Sequence, residues 1–234
     1  MTNKIKLIDL LTDLIAFESV TPCDAGSLDY IAAFVENLGG SCIRLKRNQT
    51  TNLIATLGTG STVFAFAGHV DVVPTGDVTK WITQEPFKLQ QIGDKLIGRG
   101  VADMKGAIAA FLLALADFIA NNAPDSYQIK LLITSDEEGS AVDGTPLMVE
   151  YLQQNNQRLN YCLVGEPSCV TQLGDTIKVG RRGSLTGDLV VHGKQGHIAY
   201  PHLCVNPIHS FAPALAELST QIWDHGNQYF PATS

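Results

Sequence analysis

The stretch Ser135-Asp136-Glu137-Glu138-Gly139 follows a short apolar run, Ile129 to Thr134, that reads as a buried strand. Its carboxylates therefore fall where a strand gives way to a loop, which is where open α/β sheets place their chemistry. Adjacent side chains on an extended backbone point to opposite sides. One of Glu137 and Glu138 can then face a metal while the other faces a water beside it. A solvated acidic turn is the plainer reading of the same residues. Three further runs carry similar groups. Val63 to Gly68 leads into His69 and Asp71, two residues apart and so on one face of an extended chain. That spacing lets an aspartate fix the ring of a ligating histidine, although a core histidine beside a turn aspartate has the same pattern. Gly98-Arg99-Gly100-Val101-Ala102-Asp103 enters an Ala/Leu-rich segment, so Asp103 is either a helix cap or a carboxylate shared by two cations. Tyr161 to Val164 ends in Gly165-Glu166-Pro167.

Elements able to hold these groups together alternate along the chain. Apolar residues at helical spacing mark residues 4–17 and 28–38, and the second of these stops at Gly39-Gly40. Strands are expected near 42–46, 52–57, 63–68, 129–134 and 161–164, the last of them buried, with helices over 105–121 and 145–154. Trp81 to Gly98 reads as an irregular excursion with a Gly93-Asp94 hairpin. The alternation predicts an α/β fold, a mostly parallel sheet with helices on both faces. His69, Asp103, Glu138 and Glu166 then converge at one sheet edge as metal ligands. One histidine with several carboxylates suits zinc, with cobalt or manganese as substitutes.

The pattern changes near Ile177. Residues 185–192 alternate as a strand, 193–202 form a loop, and a helix is expected over 207–224. The expected division is a catalytic metal-binding domain over residues 1–178 and the start of an α+β lid or dimerisation domain over 179–234. One strand and one helix do not close a two-layer core, so the second domain reads as incomplete.

Composition excludes several classes. The chain is 45% hydrophobic and 17% charged, with a net charge of −7 and no long basic run, which argues against a nucleic-acid surface. The longest apolar run, Ala107 to Ala116, is too short to span a bilayer. The N-terminus does not have the pattern of a signal peptide. Five widely spaced cysteines with no Cys-x-x-Cys pair read as reduced thiols of a cytoplasmic protein.

Four collinear motifs resemble the M20 family of co-catalytic zinc aminoacylases and peptidases: Gly68-His69-Val70-Asp71-Val72-Val73-Pro74, Gly98 to Gly106, Asp136-Glu137-Glu138-Gly139 and Val164-Gly165-Glu166-Pro167. Gly180 to Gly187 and Gly196 to His202 extend the likeness. The resemblance implies hydrolysis of an amide in a small-molecule substrate, two zinc ions per complete site, and a homodimer. It implies that His69 and Glu166 hold one zinc and Glu138 the other, with Asp103 between them. Asp71 would orient His69, and Glu137 would be the general base. His197 would reach the other subunit's site, and Arg181, Ser184 and Tyr200 would contact substrate. Paired arginines suit carboxylates, though Arg181-Arg182 also reads as a solvated strand edge. Proteins of the family continue further and supply a final histidine ligand. His225 lies in the wrong context for it, and His192, His202 and His209 match no ligand motif. The chain is thus expected to be an N-terminal portion, inactive by itself. The other readings are a different deacylase or peptidase of the family, and a metal-binding fragment without turnover.

Overall fold

The apolar runs of the sequence become the strands of one five-stranded sheet. In this computed structural model, which describes residues 6–183 and 185–232, the chain divides into two compact units, Met1–Ile177 and Lys178–Ser234. The first unit contains, in order, α1 (Leu7–Ala16), α2 (Ser27–Asn37), β1 (Ser41–Arg47), β2 (Thr50–Leu57), β3 (Val63–His69), β4 (Gln90–Ile92), β5 (Lys95–Ile97), α3 (Gly106–Asn121), β6 (Gln128–Thr134), α4 (Thr145–Gln154) and β7 (Tyr161–Val164).

The sheet order is β1-β2-β6-β3-β7. The β1–β2 and β2–β6 pairings are antiparallel, whereas β6–β3 and β3–β7 are parallel, so the parallel character belongs to the three strands that lead into the acidic loops. The expected hairpin is present as β4 and β5 around Gly93.

Helices cover both faces because successive strand residues point to opposite sides. On one face Leu53, Ala55, Phe66, Leu131 and Ile133 pack with Leu14 and Ile15 of α1, Ile31 and Val35 of α2, and Ile108 and Leu112 of α3. On the other, Ile54, Ala65 and Leu132 meet Met148 and Leu152 of α4. The heptad-like spacing of Leu10, Leu11, Leu14 and Ile15 places all four on the buried side of α1. Phe66 stacks on Phe111 with ring centroids 4.2 Å apart, tying β3 to α3. After α2, Gly39 takes φ 84° and its amide reaches the Glu36 carbonyl, a left-handed stop that favours glycine.

Two expectations fail here. The strand β7 was expected to be buried, but all four of its residues are exposed. It pairs only with β3 and lies at the sheet edge, where no second neighbour covers it among the described residues. The expected strand over 185–192 is absent among the described residues. Its alternation has no partner ladder among the described residues, and an isolated bridge joins Lys194 to Val205. A strand pattern without a partner leaves its backbone groups to water.

The second unit otherwise carries a helical turn at Pro201–Leu203 and α5 (Pro207–Thr220), which ends four residues earlier than expected. Asn206 caps α5, its side chain accepting from the amides of Ile208 and His209. No helix among the described residues is long and apolar enough to cross a membrane.

Candidate metal centre

Parallel pairing brings three strand ends to one sheet edge. His69 is the last residue of β3 and lies opposite Thr134, the last of β6. Ala67 of β3 lies opposite Val164, the last of β7. Glu137 and Glu138 therefore follow β6, and Glu166 follows β7, at the edge His69 occupies. Asp103 arrives from a separate direction, on the irregular turn Val101–Lys105 that precedes α3. Its φ of −127° and ψ of 102° are not helical. Asp103 does not cap α3, whose N-cap position is Lys105 with no side-chain cap bond. Its carboxylate turns toward His69 instead.

The His69 ring is fully buried and held on both sides. Nδ1 lies 2.8 Å from the Asp71 carbonyl and 3.6 Å from the Asp71 carboxylate. Nε2 lies 3.1 Å from Asp103 Oδ1 and 3.4 Å from Glu166 Oε1. A carbonyl only accepts, so Nδ1 carries a proton, which leaves Nε2 as the ring atom that turns to the carboxylates and that could ligate a cation once its own proton is lost. Asp71 thus meets the ring mainly through its backbone. Its carboxylate, with no exposed surface, accepts instead from the amides of Glu137, at 3.0 Å, and Glu138, at 3.0 Å.

His69, Asp103 and Glu138 offer ligand atoms within 4.8 Å of one another, and so do His69, Glu137 and Glu166. Apart from His69, the acidic groups have no basic partner: among the described residues no lysine or arginine pairs with Asp103, Glu137, Glu138 or Glu166. Burial and then the Asp103 charge push Glu138 up, and burial with Asp103 and Glu137 does the same to Glu166. Burial works against a charged His69. Asp71 and Glu166 overcome that and hold the ring up at about 9. Burial likewise opposes a charged Asp71, yet His69 and the Glu138 amide hold it below the usual carboxylate range. A divalent cation would relieve this excess negative charge, and the donor set of one imidazole nitrogen and several carboxylate oxygens suits one.

Two glycines make the approach possible. A Cβ on Gly68 would lie 2.5 Å from Met104 Cε, and one on Gly165 would lie 2.6 Å from Phe66 Cζ and 2.7 Å from Met104 Cε. Each precedes a site residue, His69 or Glu166, and a side chain at either would push it off Met104 and Phe66. Met104 itself, fully buried, accepts the His69 amide at its sulfur, at 3.3 Å. Sequence reading missed this support, although the glycine before each ligand is its visible signal.

The second unit carries the remaining predicted residues. Arg181 is exposed, and Tyr200 is 55% exposed. His197 Nδ1 accepts from the Ala199 amide at 3.1 Å, and its ring centroid lies 5.8 Å from that of Tyr200. Ser184 lies outside the described residues.

Fold and site together define an α/β protein with a histidine–carboxylate group that could hold a metal ion at the carboxyl ends of parallel strands. Residues 65–231 match the Peptidase family M20/M25/M40, and the chain belongs to that family. It is 50% identical over 228 residues to the succinyl-diaminopimelate desuccinylase of Psychromonas ingrahamii, covering 97% of this chain and 60% of that protein. It is 49% identical over 229 residues to the protein of the same name from Pseudoalteromonas atlantica, covering 98% of this chain and 61% of that one. The chain thus spans about three fifths of the length of these relatives. Among solved structures, an M20 family metallo-carboxypeptidase from Sulfolobus solfataricus shares the fold with a TM-score of 0.61 at 20% identity, over 70% of this chain and 38% of that one.

Proposed function

We propose that this chain carries the metal-binding catalytic residues of a zinc-dependent amide hydrolase that removes succinate from N-succinyl-LL-2,6-diaminopimelate, a step of diaminopimelate and lysine biosynthesis in the cytoplasm. The observation that carries the reading is the convergence of His69, Asp103, Glu137, Glu138 and Glu166 at one sheet edge, with no lysine or arginine paired to the carboxylates among the described residues. Half-identity to two desuccinylases supports the substrate.

In this reading His69 and Glu166 would hold one zinc and Glu138 the other, with Asp103 as a ligand they would share. Zinc held there, with cobalt or manganese as substitutes, would supply Lewis-acid activation of a water and of the amide carbonyl. Glu137 accepts the water's proton and returns it to the leaving amine. Its position is fixed through its own amide, which donates to the Asp71 carboxylate at 3.0 Å. Asp71 thus acts twice: its carbonyl sets the His69 tautomer, and its carboxylate sets the backbone of Glu137 and Glu138. Arg181, Ser184 and Tyr200 contact the substrate, the arginine suiting its carboxylates. In a homodimer, His197 of the partner subunit donates to the developing oxyanion. Residues 1–178 form the catalytic domain and 179–234 belong to the lid or dimerisation domain. A final histidine for the second zinc is not assigned within the chain.

The test is metal content per chain on protein purified without added metal, with hydrolysis of succinyl-diaminopimelate and of acetylornithine measured on the same sample. Bound zinc that is lost in the His69→Ala variant supports the site. A folded chain that takes up no zinc even when it is added refutes the reading. Preference for acetylornithine overturns the substrate.

A further inference from the structure

The loop that carries Glu137 and Glu138 is gripped from both sides by carboxylates, and only one of them, Asp71, belongs to the metal-site motifs' assigned roles. The other is Asp136. Its side chain is 2% exposed and has no cationic partner among the described residues. Oδ1 accepts from the Ala141 amide at 3.1 Å, and Oδ2 accepts from the Asp143 amide at 3.2 Å. The Asp136 amide donates to Thr134 Oγ1 at 3.0 Å, which anchors the residue to the last position of β6. The Asp136 carboxylate thus faces inward beneath the loop, while Glu137 offers a ligand atom beside His69. The loop then doubles back over the Asp136 carboxylate. Ala141 takes φ 56° to do so, a left-handed value uncommon for alanine.

The fit leaves no spare room. A Cβ on Gly139 would lie 2.8 Å from Asp136 Oδ1 and 2.7 Å from Thr21 Oγ1, and one on Gly144 would lie 2.5 Å from the Asp136 carbonyl. Beyond the loop, the Asp143 carbonyl accepts from buried Asn52 of β2 at 2.9 Å. The arrangement is a short closed loop with Asp71 holding the amides of its first two residues and Asp136 holding two amides of its return.

We propose that Asp136 is a positioning residue: by closing the return of the loop, it sets where the Glu137 and Glu138 carboxylates stand relative to His69 and Asp103. This rests on the metal-centre reading given above. A buried carboxylate with two amide donors is a strong acceptor pair, and groups that orient ligands without touching the metal influence its affinity by about ten- to a hundredfold when removed. Asp136→Asn keeps the shape and one acceptor but turns a donor toward one of the two amides. Asp136→Ala removes both acceptors.

The experiment compares the full chain with these two variants in three readouts. Zinc affinity is measured by competition with a chromophoric chelator. Thermal midpoint is measured in EDTA, and amide exchange of Ala141 and Asp143 by NMR. The expected result is a zinc affinity lowered by about tenfold in Asp136→Asn and more in Asp136→Ala, with those two amides deprotected. A residue that serves folding alone would lower the midpoint in EDTA and leave zinc affinity unchanged in the folded variant, and that outcome overturns the proposal. If neither variant folds, the wild-type chain still decides, because unprotected Ala141 and Asp143 amides overturn it. A wild-type chain without zinc affinity refutes the metal-centre reading and this inference with it. Zinc bound equally by all three proteins refutes this inference alone.

Discussion

Lys105 is the one lysine of the chain with no exposed surface among the described residues, and replacing it with methionine should stabilise the metal-free protein at neutral pH. Its Nζ donates to the Phe17 carbonyl at 2.8 Å. Burial lowers its pKa from 10.5 to about 8, against a smaller upward pull from Asp71. The unfolded chain therefore binds more protons than the folded one between these two values, and stability rises with pH across that window. Below it, folding carries the full burden of the shift, about 3 kcal/mol at 1.36 kcal/mol per pKa unit. From about pH 7 to about pH 10, wild type should gain about 2.5 kcal/mol relative to Lys105→Met. Methionine fills a similar volume, and the Phe17 carbonyl keeps a second donor, the Ser19 amide at 2.8 Å. No orphaned acceptor then offsets the gain. The assay is urea unfolding followed by far-ultraviolet circular dichroism at both pH values, with EDTA present throughout. A variant less stable than wild type at neutral pH, or a difference that does not narrow on going alkaline, would refute the reasoning.

Leu112→Ala should lower stability by about 2–5 kcal/mol, since the side chain is fully buried between α3 and the sheet; urea unfolding reads this directly, and a change under about 1 kcal/mol would mean the packing is looser than described. Gly106→Ala should destabilise by about 1–3 kcal/mol despite alanine's better helix propensity. A Cβ there would overlap the Val101 carbonyl oxygen, and the turn that presents Asp103 would have to shift. Weakened zinc uptake should accompany the stability loss, and a stabilised variant with normal zinc uptake would contradict the geometry.

What the residues announced depended on how local the signal was. Helix α4 is legible to the residue, because Pro146 and the apolar pair Met148 and Leu152 mark its start and its buried side within one short stretch. The convergence of His69, Glu138 and Glu166 was legible because strands that pair in parallel end at the same edge. Burial was not legible for β7, since Tyr161-Cys162-Leu163-Val164 is apolar whether or not a neighbour covers it. Alternation over 185–192 misled for a related reason: period two is a property of the segment, whereas a strand is a property of a pair. Asp103 illustrates the reverse. Its place before α3 fits a cap, and only the non-helical backbone of the turn sends the carboxylate to His69. The role of Asp136 is hidden in the sequence because, beside two glutamates, its inward orientation exists only once the loop has closed over it.

The four loops that meet around His69 come from widely separated parts of the chain, and three follow strands joined only by long-range pairing. No short segment contains enough donors to bind a cation well before those pairings exist. The site is therefore assembled late, after the slow step of closing non-local contacts has largely been taken. Interactions absent from the transition state act on the unfolding rate rather than the folding rate. A bound cation would then work as a latch, prolonging the lifetime of the folded chain without hastening its arrival.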